Sequence, residues 1–255
     1  GVGGGRAVDL TGVSGSSTRP SAGAVDGAAI PFLWSADDRI WVNGLQSAEA
    51  GTAGAAANFG FSELTGEAPY EVYYNMTGEG ARAVVPSRQN QAAAGELQLG
   101  ANGDFGYATT DAGGHFTLSH ATSYIWFDPW SQEVDARLVS VSLATADRTI
   151  ALCGTRTFDG GGFGAATGGE YAVTLSFGAE GVALPASGGD TRVFAAAVVY
   201  PVDCSATEVH VTYTFADGSV YTETRPGRKL EAGATYRLTT EITKRAAGAL
   251  EIEAG

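Results

Sequence analysis

The stretch VHVTYTFADGSVYTET, residues 209–224, decides the fold class of this chain. From Val209 to Phe215 large apolar residues alternate with small or polar ones, and a period of two is typical of a β-strand with one buried face. Asp217-Gly218 then separates this run from a second one, SVYTET. An Asp-Gly pair suits the positive φ angles at both centres of a type I′ turn. The stretch therefore predicts an antiparallel hairpin with a type I′ turn.

The distribution of glycine extends this prediction to the rest of the chain. Of the 255 residues, 37 are glycine, about twice the average share of about 7%. They follow no Gly-X-Y period, and glycine inside a helix costs about 1 kcal/mol relative to alanine, so we expect short strands joined by turns. Runs such as YAVTLSF (171–177) share the period of two, whereas SRQNQAAAG (87–95) is polar and without pattern. Because no βαβ alternation occurs, we predict an all-β fold.

The charge balance narrows the classes of partner. Fifteen Lys and Arg residues oppose 28 Asp and Glu residues, which gives a net charge of −13. A surface with this excess repels the phosphate backbone of nucleic acids and does not favour anionic lipid, so we expect no nucleic-acid partner. The hydrophobic share of 44% and the charged share of 17% indicate a buried core, because disordered chains combine low hydrophobicity with dense charge.

Changes in composition suggest how the chain is divided. Residues 1–28 are rich in Gly, Ser and Ala and have few large side chains, which predicts a flexible N-terminal tail with at most an edge strand at Ala7 to Leu10. Aromatic residues become frequent after this tail, and TTDAGG (109–114) has the composition of a linker. We therefore predict one β-sandwich domain over residues 29–112 and a second over 113–255.

The chain contains no motif of a known catalytic or cofactor site. Its histidines, His115, His120 and His210, do not occur in HExxH or in paired spacing with cysteine, so a zinc hydrolase has no motif support. We expect His120 to be a hydrogen-bonded histidine at a strand edge. GVSG at residues 12–15 lacks the GxSxG spacing of a nucleophile elbow. DGGGFGAATGGE at residues 159–170 fits neither glycine-rich phosphate pattern and predicts a mobile hairpin loop.

Paired carboxylates occur at Asp37-Asp38 and at Glu251 and Glu253. Neighbouring strand residues point to opposite faces, so we expect the first pair to shape a turn. The second pair lies on one strand, whereas a glycosidase needs two acids on separate elements, about 5 to 9 Å apart across a cleft. A secreted hydrolase would require two carboxylates that face each other across a pocket. We therefore predict no catalytic, cofactor-binding or metal-binding residues, no cofactor and no enzymatic activity.

Two residue types leave alternatives open. Cys153 and Cys204 are the only cysteines, and they are either buried free thiols or, in an exported protein, a possible disulfide if their Cα atoms lie within about 7 Å. Large aromatic side chains dominate sandwich cores, but exposed ones can stack on sugars. An exposed, coplanar tryptophan pair would favour the alternative of a secreted carbohydrate-binding β-sandwich module. The chain has four tryptophans: Trp34, Trp41, Trp126 and Trp130.

Three further segments form a pattern in their order and spacing. They are PFLWSADDRIWV (31–42), HFTLSHATSYIWF (115–127) and AGATYRLTTEI (232–242). Taken together they resemble the fimbrillin family, the subunits and accessory proteins of the type V pili of Bacteroidia-type bacteria. The matching residues are Phe32, Trp34, Asp38, Ile40 and Val42 in the first segment, His120 before the apolar run Ile125 to Phe127 in the second, and Gly233 and Tyr236 in the third.

The resemblance implies two transthyretin-like antiparallel β-sandwich domains in tandem. It implies export as a lipoprotein, with any lipid anchor outside these residues, and a structural or accessory role at the outer membrane as stalk, tip or anchor of a fimbria that acts in adhesion. The implied partners are other fimbrial subunits, joined by β-strand addition, and host or bacterial surface ligands. In such pilins an arginine-specific protease removes an N-terminal strand, and a strand of the next subunit enters the vacated groove. Arg6 and Arg19 are the candidate processing sites, and Leu250 and Ile252 share one face of the candidate donor strand.

Overall fold

A computed structural model describes residues 4–15, 30, 32–77, 80–132, 137–190 and 192–243. These residues form strands, turns and loops, and none of them is assigned to a helix. The prediction of an all-β fold is therefore confirmed. In the described part of the chain, no helix has the length and apolar character needed to cross a membrane.

The first ten strands lie between residues 6 and 120. They are β1 (Arg6–Val13), β2 (Ile40–Val42), β3 (Leu45–Gln46), β4 (Ala56–Leu64), β5 (Glu71–Tyr74), β6 (Arg82–Val85), β7 (Arg88–Asn90), β8 (Gly106–Thr109), β9 (His115–Thr117) and β10 (Ser119–His120). Eight of them build two sheets, in the orders β4-β1-β9 and β10-β8-β5-β2-β3. Both sheets contribute side chains to one buried cluster, which we call the first core and which includes Leu10, Trp34 and Phe59.

The other ten strands follow between residues 123 and 241. They are β11 (Ser123–Trp130), β12 (Arg137–Thr145), β13 (Cys153–Thr157), β14 (Thr167–Glu170), β15 (Ala172–Ser176), β16 (Val182–Ala183), β17 (Ala195–Val199), β18 (Glu208–Phe215), β19 (Val220–Pro226) and β20 (Thr235–Glu241). Their sheets have the orders β17-β11-β20, β19-β18-β12-β15-β7 with β16 on β12, and β14-β13-β6. A larger buried cluster, the second core, includes Trp126, Val141 and Tyr213.

Strand pairing crosses the boundary that the sequence suggests at residues 112 and 113. β9 and β10 follow this boundary but pair with β1 and β8, whereas β6 and β7 precede it and pair with β13 and β15. The linker-like residues 109–114 contain a turn, in which the N–H of Gly114 donates to the carbonyl of Asp111 at 3.1 Å. Turns and linkers favour the same residue types, which explains why the composition of residues 109–114 resembles that of a linker. The tandem transthyretin-like arrangement stays a prediction.

The hairpin predicted at residues 209–224 is confirmed, but the predicted type I′ turn is wrong. β18 and β19 pair in antiparallel orientation, and the N–H of Gly218 donates to the carbonyl of Phe215 at 2.9 Å. Gly218 has a φ of 81°, whereas Asp217 is not among the residues with positive φ. A single left-handed glycine is typical of a three-residue loop with a G1 bulge. The Asp217 carboxylate instead accepts the N–H of Ser219 at 2.9 Å.

The glycine-rich segment at residues 159–170 is anchored more firmly than a mobile hairpin loop. Its last four residues form β14, and Phe158 and Phe163 form a β-bridge near its start. The ring of Phe158 lies 4.9 Å from that of Tyr107, and the ring of Phe163 lies 4.9 Å from that of Tyr200. Aromatic packing thus ties the segment to β8 and to the second core, which the glycine count did not reveal.

Candidate functional site

The first strand lies in the middle of a sheet rather than in a tail. β1 pairs with β4 in antiparallel orientation from Arg6 to Val13, and with β9 in parallel orientation from Thr11 to Val13. The expectation of a flexible tail with at most an edge strand is therefore corrected for these residues. Average composition over residues 1–28 concealed the strand, because RAVDLTGV alternates while its surroundings consist of Gly, Ser and Ala.

Alternate side chains of β1 point into the groove between β4 and β9. Leu10 is fully buried, and Val8 is half-buried against the first core. Gly12 is required for space, because a Cβ atom there would lie 2.2 Å from the ring of Phe116. The carbonyl of Gly12 accepts the indole N–H of Trp34 at 3.0 Å. The groove therefore combines ladder hydrogen bonds with side-chain pockets, as in the recognition of an added strand.

Ser14 fixes the end of β1. Its N–H donates to the carbonyl of Ala55 at 2.9 Å, and its hydroxyl donates to the carbonyl of Phe32. Its own carbonyl faces Nε2 of His120 at 2.7 Å. As a motif, GVSG fails the serine-hydrolase pattern; in the structure its serine anchors the strand. No pattern in the sequence marks this role.

His120 lies at the end of the edge strand β10 and contacts Asp104. Nδ1 of the imidazole lies 2.9 Å from Oδ2 of Asp104, and each side chain is about 3% exposed. The predicted hydrogen-bonded histidine is thus confirmed. Burial acts against the imidazolium, but the charge of Asp104 and the hydrogen bonds to Asp104 and Ser14 outweigh it and raise the pKa of His120.

Asp104 accepts two further hydrogen bonds on its other oxygen. The hydroxyl of Thr122 donates to Oδ1 at 2.9 Å, and the hydroxyl of Tyr124 donates to the same atom. Burial and the nearby Asp104 charge raise the pKa of Tyr124 well above its ordinary value. No pattern in the sequence marks Asp104, because a single Asp between Gly103 and Phe105 is typical of a loop.

An open cavity of about 1140 Å³ adjoins the His120 and Asp104 pair. Asp38 also lines it, and its carboxylate accepts the hydroxyl of Tyr74 at 3.3 Å. Burial raises the pKa of Asp38 and that of Tyr74. Asp38 and Asp104 thus share a cavity, but the carboxylate of Asp104 is already occupied by His120, Thr122 and Tyr124.

Of the candidate processing and donor residues, Arg6 belongs to the described part of the chain. Arg6 starts β1, where its side chain is about 55% exposed, lies 3.9 Å from the carboxylate of Glu67 and donates to the hydroxyl of Tyr70 at 3.4 Å. A cut after Arg6 would leave the rest of β1 attached to the chain. Arg19, Leu250 and Ile252 lie outside the described residues.

The cysteines are free thiols in the structure. Cys153 and Cys204 are both buried and form no disulfide. Burial, with a smaller contribution from nearby carboxylates, raises the pKa of Cys153 to about 12 and that of Cys204 to about 11. Both therefore behave as small apolar core residues. Among the described residues, no group of three or more His, Cys, Asp or Glu side chains is placed to hold a metal ion.

The tryptophans do not form an exposed platform. Trp34 is about 2% exposed and Trp126 is fully buried, while Trp41 and Trp130 are half-buried. The carbohydrate-binding alternative requires an exposed, coplanar pair, which these four side chains do not provide. They serve mainly as core residues; Trp34, for example, packs its ring edge-on against Phe59 at 4.9 Å.

Comparison with known proteins identifies solved structures with a similar fold. No protein-family model matches the chain, and no curated protein matches it. A solved structure from Bacteroides uniformis, described as a "putative cell adhesion protein", is 15% identical, and the match covers 93% of this chain and 94% of that one at a TM-score of 0.54. A structure of the same description from Bacteroides ovatus is 18% identical, covering 97% and 99% at a TM-score of 0.54. One from Bacteroides fragilis is 14% identical, covering 97% and 100% at 0.50.

Identities this low establish a shared fold and no more. The likeness extends over nearly the whole length of both chains in each pair. The chain therefore has the all-β fold of these Bacteroides proteins, in agreement with its resemblance to the fimbrillin family.

Proposed function

We propose that this chain is a fimbrillin-like cell-surface protein, a structural or accessory subunit of a bacterial fimbria that acts in adhesion without catalysis. We propose further that it joins neighbouring subunits by strand exchange at the β1 groove. One observation carries this proposal: β1, the first described strand, is inserted between β4 and β9. The shared fold with solved structures described as cell adhesion proteins supports the adhesive role.

Removal of β1 would leave a groove that another chain can fill. Backbone N–H and C=O groups of β4 and β9 would lose their partners, and the site of Leu10 would be empty. An open edge of this kind is a template for pairing with an extended segment of another chain. The replacement strand would need a small residue opposite Phe116, where Gly12 now lies.

Position along the chain distinguishes the two candidate processing sites. Arg19 follows β1, so a cut there separates the whole strand from the remaining chain, whereas a cut after Arg6 does not. We therefore propose Arg19 as the processing site. Leu250 and Ile252 remain the proposed donor positions, and the proposed setting is the outer membrane, reached as a lipoprotein.

Limited cleavage of the full chain by an arginine-specific protease tests the proposal. We expect the wild type to lose the β1 peptide and to form a ladder of polymers on size analysis. Arg19→Ala should stay monomeric after the same treatment, while the matched variant Arg6→Ala should polymerise like the wild type. An excess of a synthetic peptide with the sequence of residues 4–15 should refill the groove and suppress the ladder.

Two results would contradict the proposal. Cleaved wild-type protein that releases β1 and stays monomeric would exclude strand exchange between copies of this chain. Equal polymerisation of Arg19→Ala and wild type would exclude processing at Arg19.

Replacement of both Leu250 and Ile252 by Asp should abolish the ladder without affecting release of β1, because only the donor strand is altered.

A further inference from the structure

His120 lies between two hydrogen-bond acceptors. Its Nε2 faces the carbonyl of Ser14 at 2.7 Å, and its Nδ1 faces the carboxylate of Asp104 at 2.9 Å. A carbonyl oxygen cannot donate, so the contact with Ser14 requires a proton on Nε2. The contact with Asp104 requires one more proton, shared between Nδ1 and Oδ2. A neutral imidazole with an ionised carboxylate has only one proton for these two contacts.

When one proton leaves this pair, the contact with Ser14 is the one that is lost. The carboxylate of Asp104 is about 3% exposed, and a buried anion is stabilised by an N–H donor more strongly than a neutral carbonyl is. The remaining proton therefore stays on Nδ1, and Nε2 then presents a lone pair to the lone pairs of the Ser14 carbonyl. Ser14 directly follows β1, so the effect reaches the end of that strand.

We propose that doubly protonated His120 is a latch that holds the C-terminal end of β1 in its groove, and that loss of one proton releases this end. The latch rests on the proposed function for its biological meaning, because the released end leads into the segment that contains Arg19. His120 is a positioning residue in this scheme, acting on strand exchange through Ser14. Acidic surroundings keep β1 closed, and alkaline surroundings favour its exchange.

The direction of the pH effect on β1 follows from the pKa of His120 in the folded state. The pKa of His120 is raised relative to its ordinary value of 6.5, so the stabilisation of β1 is complete below that value and is lost as the pH rises through the folded-state pKa. Phe32 stacks on the imidazole with ring centroids 3.8 Å apart and contributes no charge. The charged or titratable groups that face the site are Asp104, Tyr124 from β11, and Asp37, Asp38, Arg39, Tyr74 and Arg192 from the cavity wall. Burial raises the pKa of both tyrosines, which keeps them neutral over the same range.

Hydrogen exchange on the intact full chain measures the latch directly. Protection factors, which remove the intrinsic pH dependence of exchange, are compared between about pH 6 and about pH 9, a range that covers histidine titration. For the peptide covering residues 4–15 we expect protection to fall about tenfold or more as the pH rises, which is the effect of losing one charge-assisted hydrogen bond. A peptide covering β18 and β19 serves as the internal reference and should not change.

Histidine variants assign the effect. In His120→Gln, protection of β1 should be low at all pH values and independent of pH, whereas His115→Gln should keep the wild-type profile. His115 is the matched control because it pairs with Thr11 of β1 and its ring faces solvent near Asp111. If His120→Gln does not fold, a wild-type profile in both His115→Gln and His210→Gln assigns the effect to His120, since the chain has three histidines.

The latch is overturned if β1 protection in the wild type is flat with pH, or if the profile disappears in His115→Gln or His210→Gln. These readouts need no polymer, so they separate the latch from the proposed function. A pH-dependent β1 in a chain that never polymerises retains the latch and rejects the assembly role. If polymers form at equal rates at both pH values and β1 protection is also equal, the latch is rejected and the assembly role is retained.

Discussion

Two strand edges of this molecule are completed in different ways. The gap between β4 and β9 is filled by a whole strand, β1. The outer edge of β17, whose strand partner among the described residues is β11, is covered by the side chains of Gln89 in β7 and of Gln91 directly after β7. Gln89 accepts the N–H of Val198 at 2.9 Å and donates to its carbonyl at 2.7 Å. Gln91 accepts the N–H of Ala196 at 3.3 Å and donates to the carbonyl of Phe194 at 2.9 Å.

The difference distinguishes an edge covered by side chains from the edge at which we propose strand exchange. A side-chain amide has the same donor and acceptor as a peptide group, so Gln89 and Gln91 imitate a neighbouring strand. Both are at most 1% exposed. β7 is itself paired with β15, and the N–H of Gln91 donates to the carbonyl of Ser176 in β15 at 2.9 Å, so this cover cannot leave without opening the second core. β1, in contrast, belongs to a segment that one cut separates from the chain. Under the proposed function, one edge has a fixed cover and the other is closed by a replaceable strand.

The largest expected effect comes from removing the two glutamine side chains that cover the edge of β17. Gln89→Leu combined with Gln91→Leu should lower the free energy of unfolding by about 4 kcal/mol, because each buried backbone group left without a partner costs about 1 to 3 kcal/mol. Denaturant titration measures this loss. The exposed neighbour Arg88 provides the control: Arg88→Leu should change stability by less than about 0.5 kcal/mol. Near-equal stabilities of the double variant and the control would refute the role of the glutamines.

Sequence alone predicted the regular strands well and these two edges poorly. The alternation in residues 209–215 marks β18 because each buried residue is apolar. Gln89 gives no such signal, because it lies in a polar run and becomes buried only by pairing with a residue 109 positions later. The same reason hides the contact of His120 with Ser14, which spans 106 positions. Local patterns report periodicity, whereas these contacts depend on the arrangement of distant strands.

The groove should give a smaller and more local effect. Gly12→Ala places a Cβ atom 2.2 Å from the ring of Phe116, and overpacking of this kind costs about 2 kcal/mol. We expect hydrogen-exchange protection to fall throughout β1 while the second core stays unchanged. Gly4→Ala is the matched control, since no described atom lies within 4 Å of its Cβ position. Equal loss of protection in β1 and β18 would show that β1 is not a separate, replaceable unit.

The smallest effect is expected at the start of β1. The Arg6 side chain is about 55% exposed and lies 3.9 Å from Glu67, which is about 85% exposed, and exposed ion pairs of this kind contribute at most about 0.5 kcal/mol. Arg6→Ala should therefore leave β1 protection within about twofold of the wild type, as measured by hydrogen exchange. A loss as large as that of Gly12→Ala would show that β1 is held at its N-terminal end as well. Release would then require both ends to open, and the latch at His120 would no longer control exchange by itself.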